Sequence, residues 1–204
     1  MFFFVFLILL LVGRANSFFL GFEVLNPDEA QMMANALGLI SKKFQIYEFD
    51  GNTSGILNSL ILTWPVFFNI DVTFLSTRLT AIILIGISLY LVFKIINIHL
   101  KTNTSLIIIL PSILFFSLTR DPDFLHYSSE LISTCLLLFS YWIFTKKFGK
   151  QNIKDCFFLM FSLGLIFFAK IQFVLPAVTL SFIFLINIFI YQRSFKKIIV
   201  SCIA

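Results

Sequence analysis

Charge is scarce in this sequence. Asp, Glu, Lys and Arg make up 12% of residues, while 59% are hydrophobic and the mean hydropathy is +1.00. An average soluble domain is about 25% charged and about 45–50% apolar. A water-soluble fold of 204 residues could not hide this much Phe, Ile and Leu, so the chain must use lipid as part of its solvent. Cysteine is scarce too. Cys135, Cys156 and Cys202 are odd in number, match no metal spacing and lie in or beside apolar runs, which reads as small buried side chains. A groove-sized basic face is also missing. The net charge of +5 comes from Lys and Arg in short clusters between apolar runs, so nucleic acid is excluded as a partner.

Long apolar runs fill the rest. A transmembrane helix needs roughly 20 apolar residues, and the sequence predicts spans at about 2–22, 75–97, 105–119, 128–145, 155–171 and 173–191. The first run lacks the positive n-region of a signal peptide, because Met1-Phe2-Phe3-Phe4 carries no cation. It is expected as a retained helix, with Arg14 snorkelling near its outer end. A further run starting at Ile198 is still apolar at Ala204, too short to cross a bilayer, so an N-terminal fragment is expected. The expected fold is all-α: a polytopic transmembrane helical bundle of about six complete spans plus the start of a seventh, in one domain over 1–204.

Residues 23–74 differ in kind. They hold Glu23, Asp28, Glu29, Lys42, Lys43, Glu48, Asp50 and Asp71, with a turn-prone stretch Asp50-Gly51-Asn52-Thr53-Ser54-Gly55. This predicts a long first external loop carrying two short helices, one from Asn26-Pro27-Asp28-Glu29 and one over about 56–68. A loop this long between spans is more often functional than a mere connector. Charge counting sets the orientation. Loops 92–104, 146–155 and 192–197 contain Lys94, Lys101, Lys146, Lys147, Lys150, Lys154, Arg193, Lys196 and Lys197 against Asp155 alone. The remaining nine acids all fall on the opposite side. The positive-inside rule then makes those loops and the N-terminus cytoplasmic and the acid-bearing loops external.

Two acidic segments are candidates for chemistry. Asn26-Pro27-Asp28-Glu29 reads as a helix start, with Asn at the cap, Pro at the first position and Glu completing a capping box. It also reads as a pair of carboxylates on an external loop just beyond a span. In Arg120-Asp121-Pro122-Asp123-Phe124-Leu125-His126-Tyr127-Ser128-Ser129-Glu130, Ser128 or Ser129 can cap a helix. Glu130 is an ionisable residue at the mouth of a span, a functional candidate by default. Asp121 and Asp123 read as solvated loop acids, and His126 has no partner at metal-ligand spacing. Lys170 lies about 22 Å up a helix from Asp155, near the outer headgroup level. It either snorkels or offers an ammonium to a lipid phosphate.

Taken in order, these stretches resemble the GT-C membrane glycosyltransferases. The nearest likeness is to the group of protein O-mannosyltransferases, bacterial aminoarabinose transferases and rhizobial lipopolysaccharide sugar transferases (the glycosyltransferase family 39 type). Asn26-Pro27-Asp28-Glu29 resembles the Asp-Glu motif of the first external loop, and residues 49–59 its later part. Thr77-Arg78-Leu79 resembles the opening of the next span, His126-Tyr127-Ser128-Ser129-Glu130 the second external loop, and residues 169–176 a later signature. The resemblance implies Asp28 as catalytic base with Glu29 beside it, and Glu130 as the second acid. Arg78, His126, Tyr127 and Lys170 would bind substrate. It implies a polyprenyl-phosphate-linked sugar as donor and a hydroxyl on a lipid, glycan or protein as acceptor, among membrane lipids. No cofactor is certain; some family members hold a divalent metal between acids, and Asp28 and Glu130 are the pair that could do so. The sequence departs from the aminoarabinose-transferase pattern at Asn52-Thr53-Ser54-Gly55, where that type carries a Lys. The cation must therefore come from Lys170 or Arg78.

Two other function classes fit a polytopic chain. A transporter or flippase component would place polar groups near the bilayer midplane on broken helices; here the acids cluster in loops, although Pro111 and Pro176 could break helices. A non-catalytic subunit would leave the acidic external loop without a role.

Overall fold

A computed structural model describes residues 2–20, 26–41, 54–121, 124 and 126–203. The expected turn at 50–53 and the charged positions Glu23, Lys42, Lys43, Glu48, Asp50 and Asp123 lie outside them.

The described residues are all-helical, with no strand among them. In chain order the helices are α1 (Phe2–Leu20), α2 (Pro27–Ile40), α3 (Ile56–Ile61), α4 (Phe74–His99) and α5 (Thr102–Leu118). They continue as α6 (Glu130–Lys146), α7 (Ile153–Phe167), α8 (Val174–Asn187) and α9 (Phe195–Ile203). Two segments, Phe74–His99 and Ile171–Gln192, are long and apolar enough to cross a membrane. The second reaches that length because a 3-10 turn precedes α8 and a π turn, Ile188–Gln192, continues it. Large apolar side chains point outward all round: Phe4 and Ile8 on α1, Ile107 on α5, Phe158 on α7, Phe182 on α8.

Helix starts follow from local chemistry. Thr73 and Ser76 cap α4 reciprocally, Ser76 N–H donating to Thr73 Oγ1 at 3.3 Å and Thr73 N–H to Ser76 Oγ at 2.9 Å. Asn152 and Asp155 do the same for α7. Each box satisfies amide groups that a helix end otherwise leaves open.

The expected single helix over 56–68 is instead two pieces, α3 and a 3-10 turn, Trp64–Phe68. Pro65 has no N–H to continue an α-helical ladder and disfavours helical geometry at the residue before it.

Consecutive long helices run in opposite directions. Parallel α4 and α6 touch where Cys135 Sγ donates to Leu84 O at 3.1 Å, and antiparallel α6 and α7 where Ser140 and Ser162 hydroxyls meet at 2.6 Å. Helix α1 lies against α4 through Phe6 and Phe93, edge to face at 5.8 Å, and against α5 at Gly13. A Cβ on Gly13 would stand 2.5 Å from Ser117 O, so only glycine lets these two backbones approach.

Alternation gathers the lysine-rich loops at one end of the bundle and the candidate site residues at the other. Arg14 does not snorkel. It is buried, its Nε and Nη2 donating to the carbonyls of Phe116 and Phe124, each at 2.7 Å. Phe116 O is among the last carbonyls of α5, which have no partner within the helix, and the guanidinium supplies one.

Candidate functional site

The acid-bearing end is built around Glu29. Asn26 caps α2 as expected, its Oδ1 accepting from Asp28 N–H at 2.9 Å, with Pro27 at the first helical position. The capping box is not completed. Glu29 turns away from the cap and into the bundle, where its side chain is fully buried. Its Oε1 accepts from Thr77 Oγ1 at 3.0 Å and from Tyr127 N–H at 3.3 Å, while Arg78 Nε approaches Oε2 at 3.4 Å. A buried carboxylate demands such company, because an unpaired one costs several kcal/mol.

Arg78 and His126 share the same pocket of the fold. Arg78 Nη2 lies 3.0 Å from His126 Nε2, and that nitrogen is 3.9 Å from Glu29 Oε2. Both residues are buried, at 4% and 5% exposure. Tyr127 extends the network: its hydroxyl donates to Asn58 Oδ1 at 2.9 Å, and Asn58 Nδ2 donates to Ala169 O at 2.5 Å. Burial, and after it the nearby Cys135, push the Tyr127 phenol well above its ordinary pKa. It therefore stays a neutral donor.

A second pair adjoins the first through the segment 126–130. Lys170 Nζ donates to Ser129 Oγ at 2.7 Å and forms a close ion pair with Glu130, whose other oxygen takes the Ser128 hydroxyl. Ser129 stands at the cap position of α6 without making a side-chain cap, because its oxygen serves Lys170 instead. The Lys170 side chain is 8% exposed and that of Glu130 46%. Lys170 has left the helix. α7 ends at Phe167, and Lys170 is extended in an isolated antiparallel bridge with Ser54. Gly55 N–H donates to Ala169 O at 2.8 Å and Leu57 N–H to Phe168 O at 2.9 Å, so the start of α3 closes over the last carbonyls of α7. A Cβ on Gly55 would be 2.1 Å from Phe168 O, which makes glycine obligatory there.

The structure thus brings together Glu29, Arg78, His126 and Tyr127, and beside them Glu130 and Lys170. Asp28 faces outward on the first turn of α2, and its carboxylate has no partner among the described residues. Between α4, α5 and α6 opens a cavity of about 470 Å³. His126, Ser128 and Glu130 line it where the two networks meet, and Ile85, Leu89 and Ile109 line it along the helices, with Ser88, Ser112 and Thr134 among them.

Asn58 and Thr77 belong to this network, yet their sequence context gave them no chemical part. The available signal was a polar side chain within an apolar stretch, Ile56-Leu57-Asn58-Ser59-Leu60. Among the described residues no three His, Cys, Asp or Glu side chains group as a metal cage. A metal shared by Asp28 and Glu130 would have to displace Lys170 and Ser128 from Glu130. Comparison of the chain with protein-family models, with curated proteins and with solved structures finds no match.

Proposed function

We propose that this chain belongs to a membrane glycosyltransferase that takes its sugar from a polyprenyl-phosphate donor. The acceptor is a hydroxyl on a lipid, glycan or protein at the external face. The observation that carries the reading is the division of labour among three carboxylates at one end of the bundle: Glu29 committed, Glu130 half-exposed in an ion pair, Asp28 open to solvent.

General base catalysis needs a carboxylate that an incoming hydroxyl can reach. Asp28 meets that need, whereas every oxygen of Glu29 is already occupied. In the step, the acceptor oxygen bonds to the anomeric carbon and its proton passes to Asp28. The bond from that carbon to the phosphate oxygen breaks, and its electron pair leaves with the polyprenyl phosphate. The leaving group is a stable anion, so a nearby cation serves it better than a strong acid. Lys170 fills that role, because its partner Glu130 is exposed enough to yield to a phosphate. Arg78, buried against Glu29 and His126, is a positioning residue. The cavity, lined by His126, Ser128 and Glu130 and by a mostly apolar stretch of α4, α5 and α6, suits a headgroup followed by a lipid tail.

The outward Phe and Ile side chains on α1, α5, α7 and α8 support six spans, since contiguous apolar patches of this kind are rare in water. The lysine-rich loops would then be cytoplasmic.

The test is transfer of labelled sugar from a polyprenyl-phosphate donor in membranes carrying the protein. Asp28→Asn is expected to abolish transfer while the protein still folds. Unchanged transfer removes Asp28 from its role. An external impermeant thiol reagent should label Asp28→Cys; labelling only from the cytoplasmic side overturns the orientation.

A further inference from the structure

We propose that the groove between α4 and α6, opening at the lysine-bearing end of the bundle, is a binding site for an anionic bilayer phospholipid. The groove runs from Ile61 and Ile132, near the acidic end, to Lys94 and Lys146 at the opposite end, and the inference stands whether or not the chain transfers sugars.

The groove encloses about 690 Å³. Its walls are apolar, with Leu84 and Ile87 from α4 and Leu136 and Phe139 from α6. From Leu84 to Lys94 it follows α4 for ten residues, or about 15 Å at 1.5 Å per residue, room for much of an acyl chain. At its basic end stand two ammonium groups, Lys94 and Lys146, one from each helix.

The two helices use the same device. Lys94 follows Tyr90 by four positions and Lys146 follows Trp142 by four, so each lysine lies over the aromatic ring one turn earlier. Lys94 Nζ is 5.3 Å from the Tyr90 ring centre and Lys146 Nζ 4.8 Å from that of Trp142. A ring face steadies an ammonium without cancelling its charge. Tyr and Trp are also the residues that settle at headgroup depth. Among the described residues no carboxylate lines the groove. Asp155, the acid of this end, is held by Lys147 at 2.8 Å.

The occupant follows from that chemistry. Two cations with no carboxylate beside them among the described residues call for an anion, and the slot beneath them calls for a hydrocarbon. Basic pockets between membrane helices on the cytoplasmic side bind acidic headgroups in this way. An uncharged helix would fill the slot but leave both ammonium groups uncompensated. Free phosphate would answer the lysines and leave the slot empty.

The chain has two tryptophans, Trp64 and Trp142, so Trp64→Phe isolates the fluorescence of the one lining the groove. The full chain carrying that change is reconstituted in phosphatidylcholine discs and titrated with phosphatidylglycerol brominated on its tails. Brominated phosphatidylcholine is the parallel titration. Phosphatidylglycerol is expected to quench Trp142 at roughly 25-fold lower concentration, since each lysine near an anionic headgroup is worth about fivefold. Lys94→Gln and Lys146→Gln should each remove about fivefold, and the double variant should erase the preference. Lys101→Gln, at the same end but outside the groove, should leave it intact. Equal quenching by the two lipids overturns the proposal, as does protection of Trp142 from both, the mark of a helix in the groove. A preference that survives the double variant, or falls equally with Lys101→Gln, overturns it too. If the double variant fails to fold, excess inorganic phosphate decides with the unaltered lysines: persistence of quenching supports the lipid, and full displacement sinks it.

Discussion

Adjacent carboxylates at positions 28 and 29 should behave as opposites when removed. Glu29→Ala deletes a fully buried charge that holds Thr77 Oγ1 at 3.0 Å, Tyr127 N–H at 3.3 Å and Arg78 Nε at 3.4 Å. Removing one partner of a buried ion pair leaves the other uncompensated and costs about 3–5 kcal/mol. For a chain of this size that lowers Tm by roughly 6–20 °C, at about 2–4 °C per kcal/mol. Asp28→Ala removes an outward side chain with no partner among the described residues and should stay within about 0.5 kcal/mol of the parent. Adding Arg78→Leu to Glu29→Ala removes both sides of the 3.4 Å contact, so the two single losses should fail to add by a coupling of about 1–3 kcal/mol. The assay is reversible unfolding in mixed micelles followed by tryptophan fluorescence. A Glu29→Ala loss under about 1 kcal/mol, or an equal loss at Asp28, would refute the assignment of Glu29 as the anchor.

The other sites give sharper contrasts. Gly55→Ala must push its Cβ away from Phe168 O, which stands 2.1 Å from the ideal position, and so open the junction of α3 with α7. An overpacking cost of about 1–3 kcal/mol is expected in the same unfolding assay, with faster hydrogen exchange at Leu57. At the second pair, Lys170→Ala should raise KM for the lipid-linked donor about tenfold or more, whereas Glu130→Gln, which releases the ammonium from its partner, should lower it. Steady-state transfer measurements at varied donor concentration decide between the two directions.

How much of this could be read from residues alone differs from part to part. The helix ends came within a few residues because the apolar runs are long and Asn26-Pro27 is a strong local start signal. The segregation of charge made the two ends of the bundle legible before any packing was known. The break at Leu62 and Thr63 was less visible, since Pro65 at the start of a new turn looks like Pro65 near the end of one. Arg14 was misread because its sequence neighbours say nothing of the carbonyls of Phe116 and Phe124, more than a hundred residues away. The partners of Glu29 were hidden for the same reason. Propensity explained its position at the start of α2, and the competing attraction of Arg78, Thr77 and the Tyr127 amide was a property of the fold. Residues 28, 29, 78, 126, 127, 130 and 170 could each be singled out; that six of them form two joined networks while Asp28 stands apart could not.

That separation has a simple origin, and it can be tested without changing composition or charge. In an α-helix successive residues turn by about 100°, so when Glu29 points into the bundle Asp28 must point away from it. The same first turn therefore anchors the helix through one acid and presents the other. Exchanging them, Asp28→Glu with Glu29→Asp, keeps both carboxylates and the favourable macrodipole interaction at the helix start. The inward side chain, however, becomes shorter by one methylene, about 1.5 Å. Contacts now at 3.0, 3.3 and 3.4 Å would stretch beyond hydrogen-bonding range unless α2 moved toward α4. The exchanged protein should lose part of the stability that Glu29→Ala loses and should lose transfer as well, because the outward carboxylate shifts with the helix. An exchanged chain as stable and as active as the parent would mean that carboxylate number alone matters, and that the buried network of Glu29 has no part in placing Asp28.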